Sequence, residues 1–263
     1  MMLSACIQGL GVLGPGLADW PSAMSILRET DRYQRERTVL PVAMALPSAE
    51  RRRAGRVTRL ALAVGAEAVA HSGLEARALP SVFSSSGGDG EVCHEICESL
   101  AGDERLISPT RFHNSVHNAA AGYWSIAHGC PEASVSLCAH DASFGAGLLE
   151  ALSELTLNSA PVLLVAYDAD YPQPLRGRRP IPDAFGVGLL LAPPDAGAAL
   201  ASLKIELCND AATPMHSPEL EALRVSIPAA RSLPLLQRLA QARGGRIVLD
   251  YLDTARLAVE IEL

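Results

Sequence analysis

The apolar residues of this 263-residue chain fall into short continuous runs that are separated by longer stretches with helical spacing. Short apolar runs with turn residues on either side are typical of buried strands. They occur at 5–8, 81–84, 134–139, 161–166 and 186–192. Because predicted strands and helices alternate, the pattern indicates an α/β fold with a largely parallel or mixed sheet.

The stretches between these runs predict helices. The apolar repeat from Val57 to Ala68 has helical spacing, and Gly73 follows it as a stop signal. Asp19 is placed to cap a short helix that ends near Arg28. The glycines between Gly9 and Gly16 predict a turn after the first strand. Further helices are predicted at 91–100, 118–128, 142–155 and 233–242.

Residues 132–155 predict a buried strand that runs directly into an amphipathic helix. Asp141 stands at the junction, where a carboxylate caps free amides and is stabilised as an anion by the helix dipole. We therefore predict that Asp141 is an N-cap and not a nucleophile.

The C-terminal part has a different pattern. Residues 200–207 predict a strand, Gly244-Gly245 predicts a turn, and 246–252 with 256–263 resemble a hairpin. A soft boundary near 193–197 divides the chain into a domain at 1–195 and an extension at 196–263. We expect the extension to pack on the same core.

The composition is 49% hydrophobic and 19% charged, which is typical of a globular protein with a large core. A net charge of −7 gives no general attraction for nucleic acid or anionic membranes. The longest uncharged stretch, 112–131, contains polar residues and is no membrane span. The N-terminus also lacks a basic signal-peptide region, so we expect a soluble, cytoplasmic protein with reduced thiols.

Several residue groups are weak candidates for ligand binding. The pair Cys93 and Cys97 and the pair His113 and His117 match no standard zinc module, so we expect no metal. The turn 84–90 lacks the lysine of a phosphate loop, so we expect no nucleotide or other cofactor. A basic cluster could bind an acidic partner, although a solvated helix start explains it equally: Arg51, Arg52, Arg53 and Arg56.

The chain contains no G-x-S-x-G nucleophile motif, and Cys138 is the thiol that lies nearest to a predicted strand end. A catalytic thiolate needs a base or a cationic neighbour. An independent acyltransferase or thioester hydrolase would use Cys138, with His140 or His117 as its base.

Residues 3–195 resemble the N-terminal half of the β-ketoacyl-acyl-carrier-protein synthases, which have the thiolase fold. The resemblance rests on the order and spacing of Gly9-Leu10-Gly11-Val12, the arginine-rich entry to helix 57–72, Ser85-Ser86-Gly87-Gly88, Pro109, Phe112, Asn118-Ala119-Ala120-Ala121-Gly122, Ser134-Val135-Ser136, Ala142-Ser143 and Leu148-Leu149-Glu150-Ala151. It implies a mixed five-stranded sheet flanked by helices, with a short α+β C-terminal extension.

Two departures from that family bear on activity. Active members have a cysteine at the helix start, where this chain has Asp141, and Cys138 falls three positions too early. A carboxylate cannot accept an acyl chain as a thiolate does, because the anhydride would be too unstable. Active members also use two histidines from a second half, whereas the tail here holds only His216. We therefore expect no condensation by this chain alone.

The pattern is more narrowly similar to chain-length factors, including the short ketosynthase-like subunits of aryl polyene and xanthomonadin-type pathways. That resemblance implies a heterodimer with an active β-ketoacyl-ACP synthase, in which 134–155 lies near a pseudo-two-fold interface and 112–124 faces the acyl tunnel. The implied tunnel or interface residues are Phe112, Val116, His117, Tyr123, Ser136, Cys138, His140, Asp141, Ser143 and Phe144. The acyl-carrier protein would dock mainly on the partner, and the arginine cluster could share that docking. A homodimeric scaffold protein is a further alternative.

Overall fold

The computed structural model describes residues 2–103, 105–197 and 199–263, and eight strands in that part of the chain form a single sheet. The strands are β1 (Leu3–Leu13), β2 (Ser81–Ser84), β3 (Ser134–Leu137), β4 (Val162–Asp168), β5 (Phe185–Ala192), β6 (Ala201–Cys208), β7 (Gly245–Leu249) and β8 (Arg256–Glu262). Their order is β3-β2-β4-β5-β1-β6-β8-β7.

The sheet is mixed, as predicted. Strand β2 pairs in parallel with β3 and β4, whereas β5, β1, β6, β8 and β7 continue the sheet in antiparallel pairs. The five strands of residues 1–195 are contiguous in the order, and the three strands of the C-terminal part extend the same sheet.

Nine α-helices surround this sheet in the described residues. They are α1 (Trp20–Leu27), α2 (Ser48–Arg53), α3 (Arg56–Ser72), α4 (Gly90–Ala101), α5 (Pro109–Asn114), α6 (Ala119–His128), α7 (Ser143–Asn158), α8 (Pro218–Ser226) and α9 (Leu233–Ala240). The predicted caps are confirmed, since the Asp19 side chain accepts from the Ser22 amide and Gly73 has a φ of 71°. Helices α2 and α8 are largely polar and were not predicted.

Both faces of the sheet are covered. Along β4, Val162, Leu164 and Ala166 belong to one apolar core with α7 and α9. The alternate residues Leu163 and Val165 belong to a second core with α3 and α6. This alternation follows from the two-residue period of a strand, and it explains why β4 is apolar throughout.

The predicted glycine turn after the first strand is wrong, because Gly9 and Gly11 lie inside β1. A Cβ at Gly9 would stand 1.9 Å from the Ala68 carbonyl oxygen, and one at Gly11 would stand 2.3 Å from that of Val64. These glycines therefore allow the backbone of α3 to lie directly on the strand.

The predicted burial of the strand before α7 is also wrong. β3 is the end strand of the sheet and pairs only with β2 in the part of the chain that the structure describes. Ser134 is exposed, and the following three residues are half-buried. None of the helices within the described ranges is both long and apolar enough to cross a membrane.

Candidate functional site

The junction between β3 and α7 is a tight turn rather than a direct passage from strand to helix. A 3₁₀ turn at His140–Ala142 separates the two elements, and His140 has a left-handed φ of 51°. Such a conformation costs a non-glycine residue about 1 kcal/mol. The Ser143 hydroxyl stabilises the turn, because it accepts from the Ala139 amide at 3.0 Å and donates to the His140 carbonyl at 2.7 Å.

Asp141 does not cap α7, so the predicted N-cap is wrong. The 3₁₀ turn places Ala142 at the N-cap position, which has no side-chain hydrogen bond. Instead, Arg179 Nη2 donates to Asp141 Oδ1 at 2.7 Å, and Arg231 Nη2 lies 3.7 Å from Oδ2. The two arginine side chains are only 20% and 18% exposed. Asp141 is thus the counterion of two largely buried guanidinium groups.

Arg179 connects the residues of this turn. Burial lowers its pKa, but the hydrogen bond and the charge of Asp141 outweigh burial, so the net pKa of Arg179 is raised. Its Nη1 also lies 2.5 Å from His140 Nε2. Because the guanidinium can only donate, His140 Nε2 is the acceptor in this contact.

Cys138 is exposed and lies at the end of β3. Its thiol donates a hydrogen bond to the Ser86 carbonyl, with Sγ at 3.2 Å from the oxygen. His117 Nε2 lies 3.2 Å from the Ser85 carbonyl, and His140 faces Arg179. Within the described residues, neither imidazole is hydrogen-bonded to the thiol, so no thiol–imidazole pair is formed.

Asp168 is a buried member of this site that sequence reasoning missed. Asp168 ends the continuous apolar run of β4. An acidic residue at the end of a fully buried strand is the sequence signal that could have identified it. Its carboxylate accepts from the amides of Ser86 at 2.8 Å and Ala229 at 2.9 Å. Burial raises the pKa of Asp168 to about 6. The carboxylate thereby joins the loop after β2 to the C-terminal part of the chain.

The remaining predicted tunnel and interface residues are divided among three places. Phe112, Val116 and Tyr123 line a groove of about 410 Å³ along α5 and α6. Phe144 lies in the core and is fully buried. The Ser136 hydroxyl is buried in β3 without a hydrogen-bond partner.

The predicted partner-binding arginines are partly engaged within the chain. Arg51 donates to the carbonyls of Met44 and Leu46, and Arg56 pairs with a buried carboxylate, that of Asp170, at 2.9 Å. Arg53 pairs with Glu50 at 3.3 Å, and its side chain is 54% exposed. Arg52 is exposed and forms no ion pair with any described residue. Arg52 and Arg53 are therefore the members that a partner could reach.

The cysteines and histidines do not assemble into a metal centre. All six cysteines are free, and Cys93 and Cys97 are both exposed. No group of three or more metal-ligating side chains occurs in the ranges that the structure describes.

Comparisons with known proteins place this geometry in a wider context. Residues 27–245 match the family described as beta-ketoacyl synthase, N-terminal domain. No match was found among curated proteins.

Solved structures of similar fold include the ketosynthase (ApeO) in complex with its chain length factor (ApeC) from Xenorhabdus doucetiae. The match is 23% identical with a TM-score of 0.73, and it covers 98% of this chain and 99% of that chain. The ishigamide ketosynthase/chain length factor is 15% identical with a TM-score of 0.74, and 99% of each chain is covered.

Ketosynthase twelve from the bacillaene polyketide synthase in Bacillus amyloliquefaciens is 16% identical with a TM-score of 0.58. That match covers 85% of this chain and 48% of that chain. At these identities the likeness establishes the fold, and the predicted ketosynthase-like α/β architecture is confirmed.

Proposed function

Because this chain belongs to the β-ketoacyl synthase family through its N-terminal domain, we propose that it is a non-catalytic, chain-length-factor-like subunit. It would pair with an active β-ketoacyl-ACP synthase and shape the acyl tunnel during polyene, polyketide or fatty-acid-type chain elongation. In this proposal residues 1–195 are the ketosynthase-like domain and 196–263 are an extension that shares its sheet.

The observation that carries the proposal is the ion pair between Asp141 and Arg179 at 2.7 Å. The resemblance described above puts the nucleophilic cysteine of active members at this position. A carboxylate forms no stable acyl adduct, and here it neutralises a guanidinium that is four-fifths buried. The junction thus supports a structural role for Asp141.

In this proposal Cys138 does not supply the missing chemistry. Its hydrogen bond to the Ser86 carbonyl requires the protonated thiol, and neither His117 nor His140 is placed as its base. Nucleophilic catalysis needs the thiolate and a proton acceptor within reach. An independent acyltransferase or thioester hydrolase that uses Cys138 is therefore ranked second among the candidate functions.

The sheet edge and the groove beside the junction support the proposed pairing with a partner subunit. The outer edge of β3 has no neighbouring strand in the described chain, and unpaired edges favour association with another chain. Helix α6 contacts β3, and the groove along α5 and α6 exposes Phe112 by 65% and Val116 by 52%. An open edge next to exposed apolar side chains is typical of a protein interface.

The extent of the structural matches also supports the proposal. The chains matched in the two ketosynthase and chain-length-factor structures are covered over 99% of their length. Ketosynthases of the bacillaene synthases are covered over only 44% to 50%. The fold described here therefore corresponds to a whole chain in such complexes and to about half of each longer ketosynthase.

Co-expression with the ketosynthase of the same pathway, followed by size-exclusion chromatography, tests the pairing. We expect the two chains to co-elute, and Val116→Asp to weaken the complex at least tenfold because it puts a charge into the apolar groove. Val225→Asp is the matched control, since Val225 is 59% exposed on α8 and should be without effect. Separate elution of the wild-type chains would contradict the proposal. Self-association of the isolated chain would favour a homodimeric scaffold.

Intact-mass measurement after incubation with an acyl-carrier-protein thioester tests the lack of catalysis. We expect no acyl adduct on this chain, in isolation or in the complex, and full elongation activity of the complex when Cys138 is replaced by Ala. An adduct that disappears in Cys138→Ala would identify an enzyme that uses this thiol. Involvement of Arg52 and Arg53 in docking the carrier protein, and an aryl polyene product, remain predictions of the resemblance.

A further inference from the structure

A second pocket lies on the face of the sheet that is covered by α3 and α6, opposite the face covered by α7. Its volume is about 130 Å³. The irregular segment 41–45 forms its roof, and residues of α3 and the end of α6 form its walls. Neither the junction nor the groove along α5 and α6 shares a lining residue with it.

The roof is held in place by specific contacts. The Arg51 guanidinium donates to the carbonyls of Met44 at 3.1 Å and Leu46 at 2.9 Å. The Leu46 side chain is 1% exposed and anchors the segment in the core. Val42 and Met44 nevertheless remain 59% and 68% exposed. Their apolar side chains therefore do not gain the free energy that burial would give. The Arg51 hydrogen bonds and the buried Leu46 side chain thus attach this segment to the rest of the fold beside the pocket.

The lining combines apolar walls with one cation. Leu62, Ala63 and Ala66 lie on the wall contributed by α3. Arg59 comes from the same helix and forms no ion pair within the described ranges, and its Nε is buried without a hydrogen-bond partner. Arg59 is half-buried, and its guanidinium pairs with no carboxylate among the described residues, so it is available to bind an anion.

The opposite wall contains His128, whose ring packs against Trp124 with centroids 4.0 Å apart and ring planes inclined by 43°. Burial lowers the pKa of His128, which keeps its ring neutral near pH 7. This wall therefore adds a neutral ring and no carboxylate to the pocket lining around Arg59.

We propose that this pocket binds a small monocarboxylic acid, with the carboxylate on Arg59 and the hydrocarbon body against Leu62, Ala63 and Ala66. A cavity of about 150 Å³ accommodates benzene, so the volume here suits a ligand of about six non-hydrogen atoms. A phosphate of similar size would leave oxygens against apolar walls without donors. The site is distinct from the proposed subunit interface, and its existence does not depend on the pairing.

Butyrate and butyramide are matched probes, because they have the same shape and differ in charge. Binding to the full-length chain can be followed by ligand-observed NMR titration at pH 7. We expect saturable binding of butyrate in the millimolar range, and binding of butyramide and of inorganic phosphate at least tenfold weaker. Arg59→Gln should weaken butyrate binding at least tenfold, and Ala63→Leu should abolish it because the added methyl groups fill the pocket.

Arg246→Gln is the control, because Arg246 lies on β7, does not line the pocket, and forms an exposed ion pair with Asp210. It should bind butyrate as the wild type does. Thermal melts establish that each variant is folded. Absence of saturable butyrate binding would overturn the proposal, as would equal binding of butyramide or equal binding by Arg59→Gln. Binding that survives Ala63→Leu would place the ligand elsewhere and would likewise refute this site.

Discussion

A thiol placed at position 141 should become reactive because of the charges around it. In Asp141→Cys, the sulfur would replace a carboxylate that lies 2.7 Å from Arg179 and 3.7 Å from Arg231. Two charges about 4 Å apart interact by about 4 kcal/mol at an effective dielectric constant of about 20. Since the Asp141 side chain is 45% exposed, we discount this by half, to about 2 kcal/mol.

That free energy corresponds to a shift of about 1.5 units in the titration of the thiol, from about pH 8.5 to about pH 7. The thiolate fraction at pH 7 would rise from about 3% to about 50%. A thiolate of lower basicity is intrinsically less nucleophilic, by about fivefold for such a shift. We therefore expect alkylation at residue 141 to be about threefold faster at pH 7 than that of an ordinary exposed thiol.

Iodoacetamide labelling between pH 6 and 9, read by peptide mass mapping, measures this rate at each cysteine separately. Cys97, which is exposed on α4, provides an internal reference in the same sample. In Asp141→Cys combined with Arg179→Gln, the pH midpoint at residue 141 should move back toward 8.5. A midpoint near 8.5 in both variants would refute the argument that the guanidinium groups control this junction.

Three further predictions concern stability. Gly11→Ala should lower the free energy of unfolding by at least about 2 kcal/mol in urea denaturation, because its Cβ would meet the Val64 carbonyl oxygen at 2.3 Å. Gly122→Ala in α6, whose Cβ would meet nothing within 4 Å, should instead be neutral or stabilising, and a loss equal to that of Gly11→Ala would contradict the packing argument. Burial raises the pKa of Asp168 to about 6, above its unfolded value of 3.8, so the folded protein binds this proton more tightly than the unfolded chain does. The stabilisation from protonating Asp168 is therefore fully present below pH 3.8 and is lost as the pH rises through 6. Relative to Asp168→Asn, the wild type should gain up to about 3 kcal/mol between pH 7.5 and 4 in denaturation experiments, and parallel pH profiles would rule this out. Ser136→Ala removes a buried hydroxyl that lacks a partner, so thermal melts should show an unchanged or higher midpoint, whereas a drop of several degrees would indicate a bond that the hydroxyl makes.

Local pattern was sufficient for the elements whose burial is uniform or strictly periodic. The apolar repeat from Val57 to Ala68 identified α3, and the run 161–166 identified most of β4. Asp19 was identified as a cap because its partner amide, that of Ser22, lies three residues away. In each case the interaction that decides the structure is made within about one helical turn or along one strand, so the residues themselves display it.

The site was predicted only in part, because its contacts join residues that are far apart in the sequence. The order of short motifs singled out Asp141, because the family resemblance implies a nucleophile at that position. Its partner Arg179 lies 38 residues further along the chain, and Arg231 belongs to the C-terminal part. No local pattern connects these three residues, so their contact could not be read from the sequence.

The sequence by itself determined the class of fold, most of the helices and strands, and the absence of a cysteine at the helix entry. Only the tertiary structure decided that β3 is the end strand of the sheet among the described residues. It also decided that α3 packs directly on Gly9 and Gly11, and that Asp141 pairs with two arginines instead of capping α7. Periodicity reports which face of an element is buried, because it arises from neighbours in the chain. Edge position, close backbone approach and charge pairing depend on which distant elements meet, and that is set by the packing of the whole sheet and its helices.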